Sequence, residues 1–457
     1  METSATNLHR WTNAQIRFSL ILLMLGLLFG LLASLQYIVP GIGKEWLSFE
    51  QLRPLHVSSV IFWIILCAAG ISGHFMSEFT GHQKQQNSLK RLQYYLFAIS
   101  ISAILVCYLM GLFGGREYWE YPPLLSIPLG MAWLLFMISM IRQSRHFFRQ
   151  PVYVWMWFTG VFSFLFTFSE SYLWLIPSLR GRVIQDITLQ WKSNGSMVGS
   201  WNMLIYGSSI YLMDKLAPNK KYGYSRIAFL MYLLGLTNLM FNWGHHIYTV
   251  PARPFIRPVS YIVSMSEWII LARMIRMFRK SMKENRNYLS VPGFRFLMAS
   301  EYWILANLAL AIFMSVPALN LYTHGTHMTV AHAMGSTIGI NTMLLLGMVV
   351  YVMSGNTARQ RTTLKYGFWI TQISLMIFWF SLIIAGLIKA VWQMGNQLKP
   401  FQTMMEDARP AFILFVLSGT GLVIGLYFII IPIIRGSLTG RIVPANDKES
   451  NKLLNPD

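Results

Sequence analysis

Only ten histidines occur in the 457 residues, and four of them stand where an imidazole is expensive. His56, His245, His246 and His332 fall near the ends of strongly apolar stretches of helix length. A polar ring in such surroundings needs a partner or a role. Neutral imidazole is the usual nitrogen ligand for iron, copper and zinc. Inside an apolar bundle it can hold haem iron axially or bind a second metal nearby. His56 alone reads equally as a ligand or as a hydrogen-bonded packing residue. The pair His245-His246 makes the stronger case, because two adjacent imidazoles in lipid both need partners.

The elements that must position these rings are apolar helices. Hydrophobic residues make up 54% of the chain and charged residues 12%, against roughly a quarter charged in a soluble domain. Apolar runs long enough to span a bilayer fall at about 15–39, 53–77, 91–114, 122–142, 151–176, 192–213, 223–249, 257–277, 296–319, 329–354, 367–392 and 410–435. Twelve such runs favour an all-α bundle over a β-barrel. No long linker separates them, so residues 1–457 read as a single membrane domain surrounded by lipid. The polar start METSATNLHRWTNAQIR carries no cleavable signal pattern, and the first run is expected to stay as a helix.

The net charge of +20 would fit nucleic acid, but its distribution excludes that reading. Lys and Arg collect in alternate loops, at Lys84, Lys90 and Arg91, at Arg142, Arg145 and Arg149, at Lys215, Lys220 and Lys221, at Arg279, Lys280 and Lys283, and at Arg359, Arg361 and Lys365. This is the positive-inside pattern, and it places both termini in the cytoplasm. The orientation then sets His56, His245, His246 and His332 at one depth near the outer surface. His9, His74, His82 and His146 fall toward the inner side and read as ordinary polar residues. Cys67 and Cys107 read as small core residues, and the absence of CxxCH assigns any c-type haem to another chain.

The stretches LRPLHVSSVIFWI, GREYWEYP, NWGHHIYTVP and YTHGTHMTVAHAMG, in this order, resemble the NorB-type large subunit of bacterial nitric oxide reductases, in the haem–copper oxidase superfamily. The resemblance covers nearly the whole chain. It implies a haem–copper oxidase subunit I-like bundle in the inner membrane of a bacterium or archaeon. His56 would be an axial ligand of a low-spin haem b and His332 the proximal ligand of a high-spin haem b. His245 and His246 would bind a non-haem iron opposite that second haem. Glu117 and Glu120 match family acids near the haem propionates and a calcium ion, and hard carboxylates suit Ca²⁺. His324 and His327 lie in the loop nearest those propionates. Glu267 matches a buried glutamate that would donate or relay protons, and its bland alternative is a carboxylate paired with a nearby donor. The implied partners are a small gaseous substrate and a c-type cytochrome subunit or soluble electron donor on the outer side.

Four positions depart from the family pattern. The family's second histidine on the tenth helix, which ligates the low-spin haem, is Met334 here. His/Met ligation is legitimate and raises haem potential, so the expected pair is His56/Met334. The third histidine of the non-haem metal falls at Asn194, whose amide oxygen is a weaker ligand than imidazole for iron. The two glutamates of that helix fall at Val198 and Asn202. These changes remove charge and strong donors from one pocket. They leave three functions open: nitric oxide reduction, a related gas chemistry such as NO dismutation or O2 reduction, and a haem-binding electron-transfer or gas-sensing subunit without a working second metal. A transporter is disfavoured, because the spans lack paired Gly/Pro breaks at mid-membrane.

Overall fold

The computed structural model describes residues 9–77, 87–144, 147–216, 222–263, 266, 293–353, 358–395 and 399–438. Its long helices are α1 (Arg10–Leu35), α2 (Phe49–Met76), α3 (Asn87–Leu109), α4 (Ser126–Gln143), α5 (Val152–Glu170), α6 (Val183–Leu216), α7 (Arg226–Phe241), α8 (Phe294–Ser315), α9 (His327–Met334), α10 (Met343–Met353), α11 (Ala358–Met394) and α12 (Phe401–Leu438). The only β pairing among the described residues is an isolated bridge between Arg116 and Trp119. Among the described residues, ten helical stretches are long and apolar enough to cross a membrane. This is a multi-pass, all-α membrane protein.

One of the twelve expected spans is longer and more polar than a plain apolar rod, and another is only partly described. The run at 192–213 is the middle of α6, which begins at Val183 and spans 34 residues. Its extra turns carry Gln185, Asp186, Thr188 and Gln190, and its centre is rich in Ser, Gly and Asn. The helix is therefore longer and more polar than a simple hydrophobic span. The run at 257–277 is helical over 256–263, and its remainder lies outside the described residues apart from Ser266.

Two compact units divide the chain. The first comprises Met1–Ser19 and Ile61–Ser281, and the second Leu20–Val60 and Met282–Asp457. In the first unit α5 packs along α6, α6 along α7, and α3 along α4. Large aromatics fill the interior, with Trp133, Trp157 and Tyr211 almost fully buried. Both indole N–H groups are satisfied: Trp133 Nε1 donates to the Val161 carbonyl at 2.8 Å and Trp157 Nε1 to Ser208 Oγ at 3.0 Å.

In the second unit α11 and α12 form a long helical hairpin, and α9 packs on α11. The tenth expected span, 329–354, is one continuous helical path with a change of pitch. Residues Gly335–Thr342 form a π-helix between α9 and α10. Such widened turns occur mostly as short bulges, often at functional sites. The interruption directly follows His332 and Met334.

Candidate metal and haem ligands

His56 sits on α2 within the second unit, and α1 holds its ring. Its Nδ1 lies 2.7 Å from the Gly26 carbonyl oxygen. A carbonyl can only accept, so Nδ1 carries the proton and donates. That leaves the Nε2 lone pair for a metal, the arrangement in which an outer hydrogen bond orients a ligating imidazole. One turn along, a Cβ on Gly30 would stand 2.6 Å from His56 Nδ1 and 2.7 Å from Cε1. Gly26-Leu27-Leu28-Phe29-Gly30 is a small-xxx-small stripe of the kind that lets membrane helices approach closely. The glycines were legible as a motif, but their bearing on His56 required the structure. Both His56 and Met334 are half-buried, and both belong to the second unit.

His332 lies on α9, one turn before the π-helix. Its Nδ1 is buried without a hydrogen-bond partner. Its ring also makes a hydrogen bond to the backbone of Asn307. His327 lies among aromatic rings. Its ring packs edge-on to Tyr37 and Phe412 at 5.6 and 4.9 Å. Nearby, Lys389 Nζ donates to the Gly325 carbonyl at 3.2 Å. His324 is half-buried at the end of the short helix Pro317–Thr323.

The first unit holds the second set of rings. His245 and His246 lie in a 3-10 turn, Asn242–Ile247, that continues α7. Their ring centroids are 4.1 Å apart. His245 Nδ1 stands 3.0 Å from Asn242 Oδ1, which accepts its proton when Nε2 is left as the ligand atom. Trp191 on α6 stacks on His246 at 5.2 Å with an interplanar angle of 15°. Gly195 on the same helix brings α6 against the turn, where a Cβ would meet Trp243 at 2.6 Å and His246 Cδ2 at 3.7 Å. Asn194, beside that glycine, is 2% exposed, and its Nδ2 has no hydrogen-bond partner. A flip of the amide presents the oxygen there instead, since the two atoms are interchangeable in shape. The spacing of the motif did not show that Trp191 and Asn242 clamp the two rings.

No cluster of three His, Cys, Asp or Glu occurs among the described residues. The set at this turn is two imidazoles and one amide. Two residues before Asn194, Lys192 forms an ion pair with Glu170 at the end of α5. Val198 and Asn202 follow on α6, both partly buried.

Glu117 and Glu120 lie in a tight loop after α3. Trp119 N–H donates to the Arg116 carbonyl at 2.7 Å, and Tyr118 adopts φ 75°, a left-handed conformation costly for a non-glycine residue. Arg116 anchors the loop to Asp186 at 2.7 Å and stacks over Trp174. Glu267 lies outside the described residues. At the other end of the first unit, His74 stacks on His9 at 3.9 Å. Cys67 is fully buried, whereas Cys107 is only partly so.

Residues 12–421 match the family described as Cytochrome C and Quinol oxidase polypeptide I, and the chain belongs to that family. It is 23% identical over 416 residues to a nitric oxide reductase subunit of Stutzerimonas stutzeri, covering 82% of this chain and 83% of that one. It is 21% identical over 400 residues to the Cbb3-type cytochrome c oxidase subunit CcoN1 of the same organism, with 82% and 83% covered. It is also 21% identical over 430 residues to Cytochrome c oxidase subunit 1 of Rhodobacter capsulatus, with 87% and 79% covered. Its fold is similar to that of a heme-copper terminal oxidase dimer solved by cryo-EM, with TM-score 0.74 and 14% identity over 94% of this chain and 84% of that one. Reductase and oxidases match at nearly equal identity, so membership spans both activities.

Proposed function

We propose that this chain is the catalytic membrane subunit of a respiratory oxidoreductase that reduces nitric oxide at haem and a second metal. Low-spin haem b is held by His56 and Met334, high-spin haem b by His332, and the second metal by His245, His246 and Asn194. The reaction is 2 NO + 2 e⁻ + 2 H⁺ → N2O + H2O. The bound haem and metal supply sites for NO and a path for electrons. The chain's own residues orient those groups: the Gly26 carbonyl sets the His56 tautomer, while Asn242 and Trp191 fix the His245-His246 pair. Glu267 is assigned proton delivery, and Glu117 and Glu120 a calcium ion. A c-type cytochrome on the outer face of a bacterial or archaeal inner membrane supplies electrons.

One observation carries this reading: two clamped imidazoles lie on a turn that α6 meets at Gly195, next in sequence to a buried amide with an uncommitted end. Imidazole nitrogens and an amide oxygen are donors that a metal can take. The test is haem and metal stoichiometry on one purified sample of the chain with its natural partner, followed by NO and O2 consumption. Two haems b, one further metal and N2O release are expected. Haem without the extra metal would sink the reductase reading.

A second reading rests on the lack of a third strong ligand among the described residues. A two-imidazole site binds metal weakly, which favours a haem-binding electron-transfer or gas-sensing subunit. Turnover of O2, or dismutation of NO, instead of N2O release would point to the related gas chemistries.

A further inference from the structure

Positive charge gathers around one seam at the inner end of the first unit, where α1 starts between the end of α2 and the start of α3. Two glycines bring α2 onto it. A Cβ on Gly70 would stand 2.8 Å from Ile16 Cγ1, and one on Gly73 3.7 Å from Thr12 Cγ2. On the α3 side Trp11 packs against Tyr94 and Tyr95 at 5.8 and 5.6 Å. A satisfied amide chain floors the seam: Gln93 Nε2 donates to Gln15 Oε1 at 3.0 Å, and Gln15 Nε2 to the Leu66 carbonyl at 2.9 Å. One turn further in, each helix brings a nitrogen base. His9 immediately precedes α1, His74 lies in the last turn of α2, and Lys90 lies one turn before Gln93 on the same face of α3. The two imidazoles stack at 3.9 Å with an interplanar angle of 28°. Ser77 Oγ donates to the His74 carbonyl at 2.5 Å and stands 3.4 Å from His9 Nδ1. The charges of His9 and Lys90 both act on the His74 ring.

This cluster lacks a counter-charge among the described residues. Lys90 is 7% exposed, yet its ammonium forms no ion pair there. A charge withdrawn from water to that degree is costly without an opposite one. Exposed Arg10 and Arg91, next in sequence to His9 and Lys90, add to the excess. Asp214 is the only described acid at this end of the unit, and its carboxylate accepts from the Gly223 N–H at 3.1 Å. We infer that the seam between α1, α2 and α3 binds one phosphate group at the inner membrane surface, carried by an anionic lipid headgroup or arriving free. Lys90 supplies the fixed charge and His74 a nitrogen donor, while His9 closes the seam from the start of α1. A phosphate offers several acceptor oxygens at once, so donors from three helices can share it. Its negative charge relieves the repulsion among the bases. The seam lies about one turn inside the helix ends, at the level where the anionic cytoplasmic leaflet meets basic pockets between helices. The site is independent of which gas the chain reduces.

The test uses the full chain with its natural partner, delipidated in detergent, and native mass spectrometry to count bound molecules. Phosphatidylglycerol, zwitterionic phosphatidylcholine and soluble glycerol phosphate are titrated in turn. One phosphatidylglycerol per chain is expected to bind more tightly than phosphatidylcholine. Lys90→Met should weaken it at least about tenfold, as loss of a charge-assisted bond implies, and Lys90→Arg should keep it. His74→Gln is the milder change and should weaken it too, which tests the seam even if Lys90→Met does not fold. Lys215→Met removes an exposed cation at the same end and should change nothing. Weaker binding of glycerol phosphate than of the lipid would support the headgroup as the source, and equal binding would support free phosphate. Equal affinity for phosphatidylcholine and phosphatidylglycerol with no binding of glycerol phosphate would overturn the site. So would unchanged affinity in His74→Gln and in a folded Lys90→Met.

Discussion

On the proposed reading, Met334 is the residue that most changes what this chain can do. A thioether is a softer and weaker donor than imidazole, and a His/Met haem sits at higher potential than a bis-His one. Met334→His should lower the midpoint potential of the low-spin haem and move its spectrum to that of bis-imidazole ligation. No change in either would show that Met334 only packs. At Asn194 the expected direction is opposite in kind. Asn194→His combined with Val198→Glu restores a strong donor and a neutralising carboxylate, and should raise the second metal bound per chain. No gain would mean that α6 presents other residues to the metal. His324 lies outside the spans, and burial holds its pKa below the ordinary value of 6.5. Just below pH 6.5 the unfolded chain therefore binds more protons than the folded one, so stability falls as the pH drops through that window. His324→Gln should flatten this part of the curve in thermal unfolding in detergent. Equal slopes for parent and variant would show that His324 is solvated. The types and spacing of these residues were readable directly. Their clamps were not, because Gly26, Asn242 and Trp191 reveal their roles only through a distance.

Helix packing carries the next level. The approach of α1 to His56 depends on Gly30, and Gly30→Ala would drive a methyl group into the ring. Overpacking of this kind costs about 1–3 kcal/mol. The expected outcome is a chain that still inserts but loses low-spin haem or shows altered EPR g-values for it. Full retention of haem with unchanged g-values would show that the ring has room to move. Hydropathy located the helices well, since lipid demands continuous apolar runs. It misjudged the length of α6, whose outer turns are polar and contribute nothing to a hydropathy signal. It was blind to the π-helix for a different reason. Met343–Met353 is apolar on nearly every side, so no amphipathic period marks which way a residue faces.

For the whole molecule, charge asymmetry is the strongest constraint. Trp46 is 86% exposed between α1 and α2, and the asymmetry predicts that Trp46→Cys reacts with impermeant thiol reagents from outside intact cells. Lys215→Cys, at the far end of α6, should react only after the membrane is opened. The reverse pattern would invert the chain and carry every proposed ligand to the wrong side. The family alone does not choose between gases, so on the proposed reading the choice rests on ligands that one or two codon changes could convert. Length could change this protein as readily as composition. Deleting one residue within Gly335–Thr342 would let the widened coil relax to ordinary α pitch without breaking the helix on either side. The facing of His332 relative to α10 would then change with the pitch of the turns between them. A single-residue deletion is therefore a route by which such a chain could lose a haem and survive as a folded descendant.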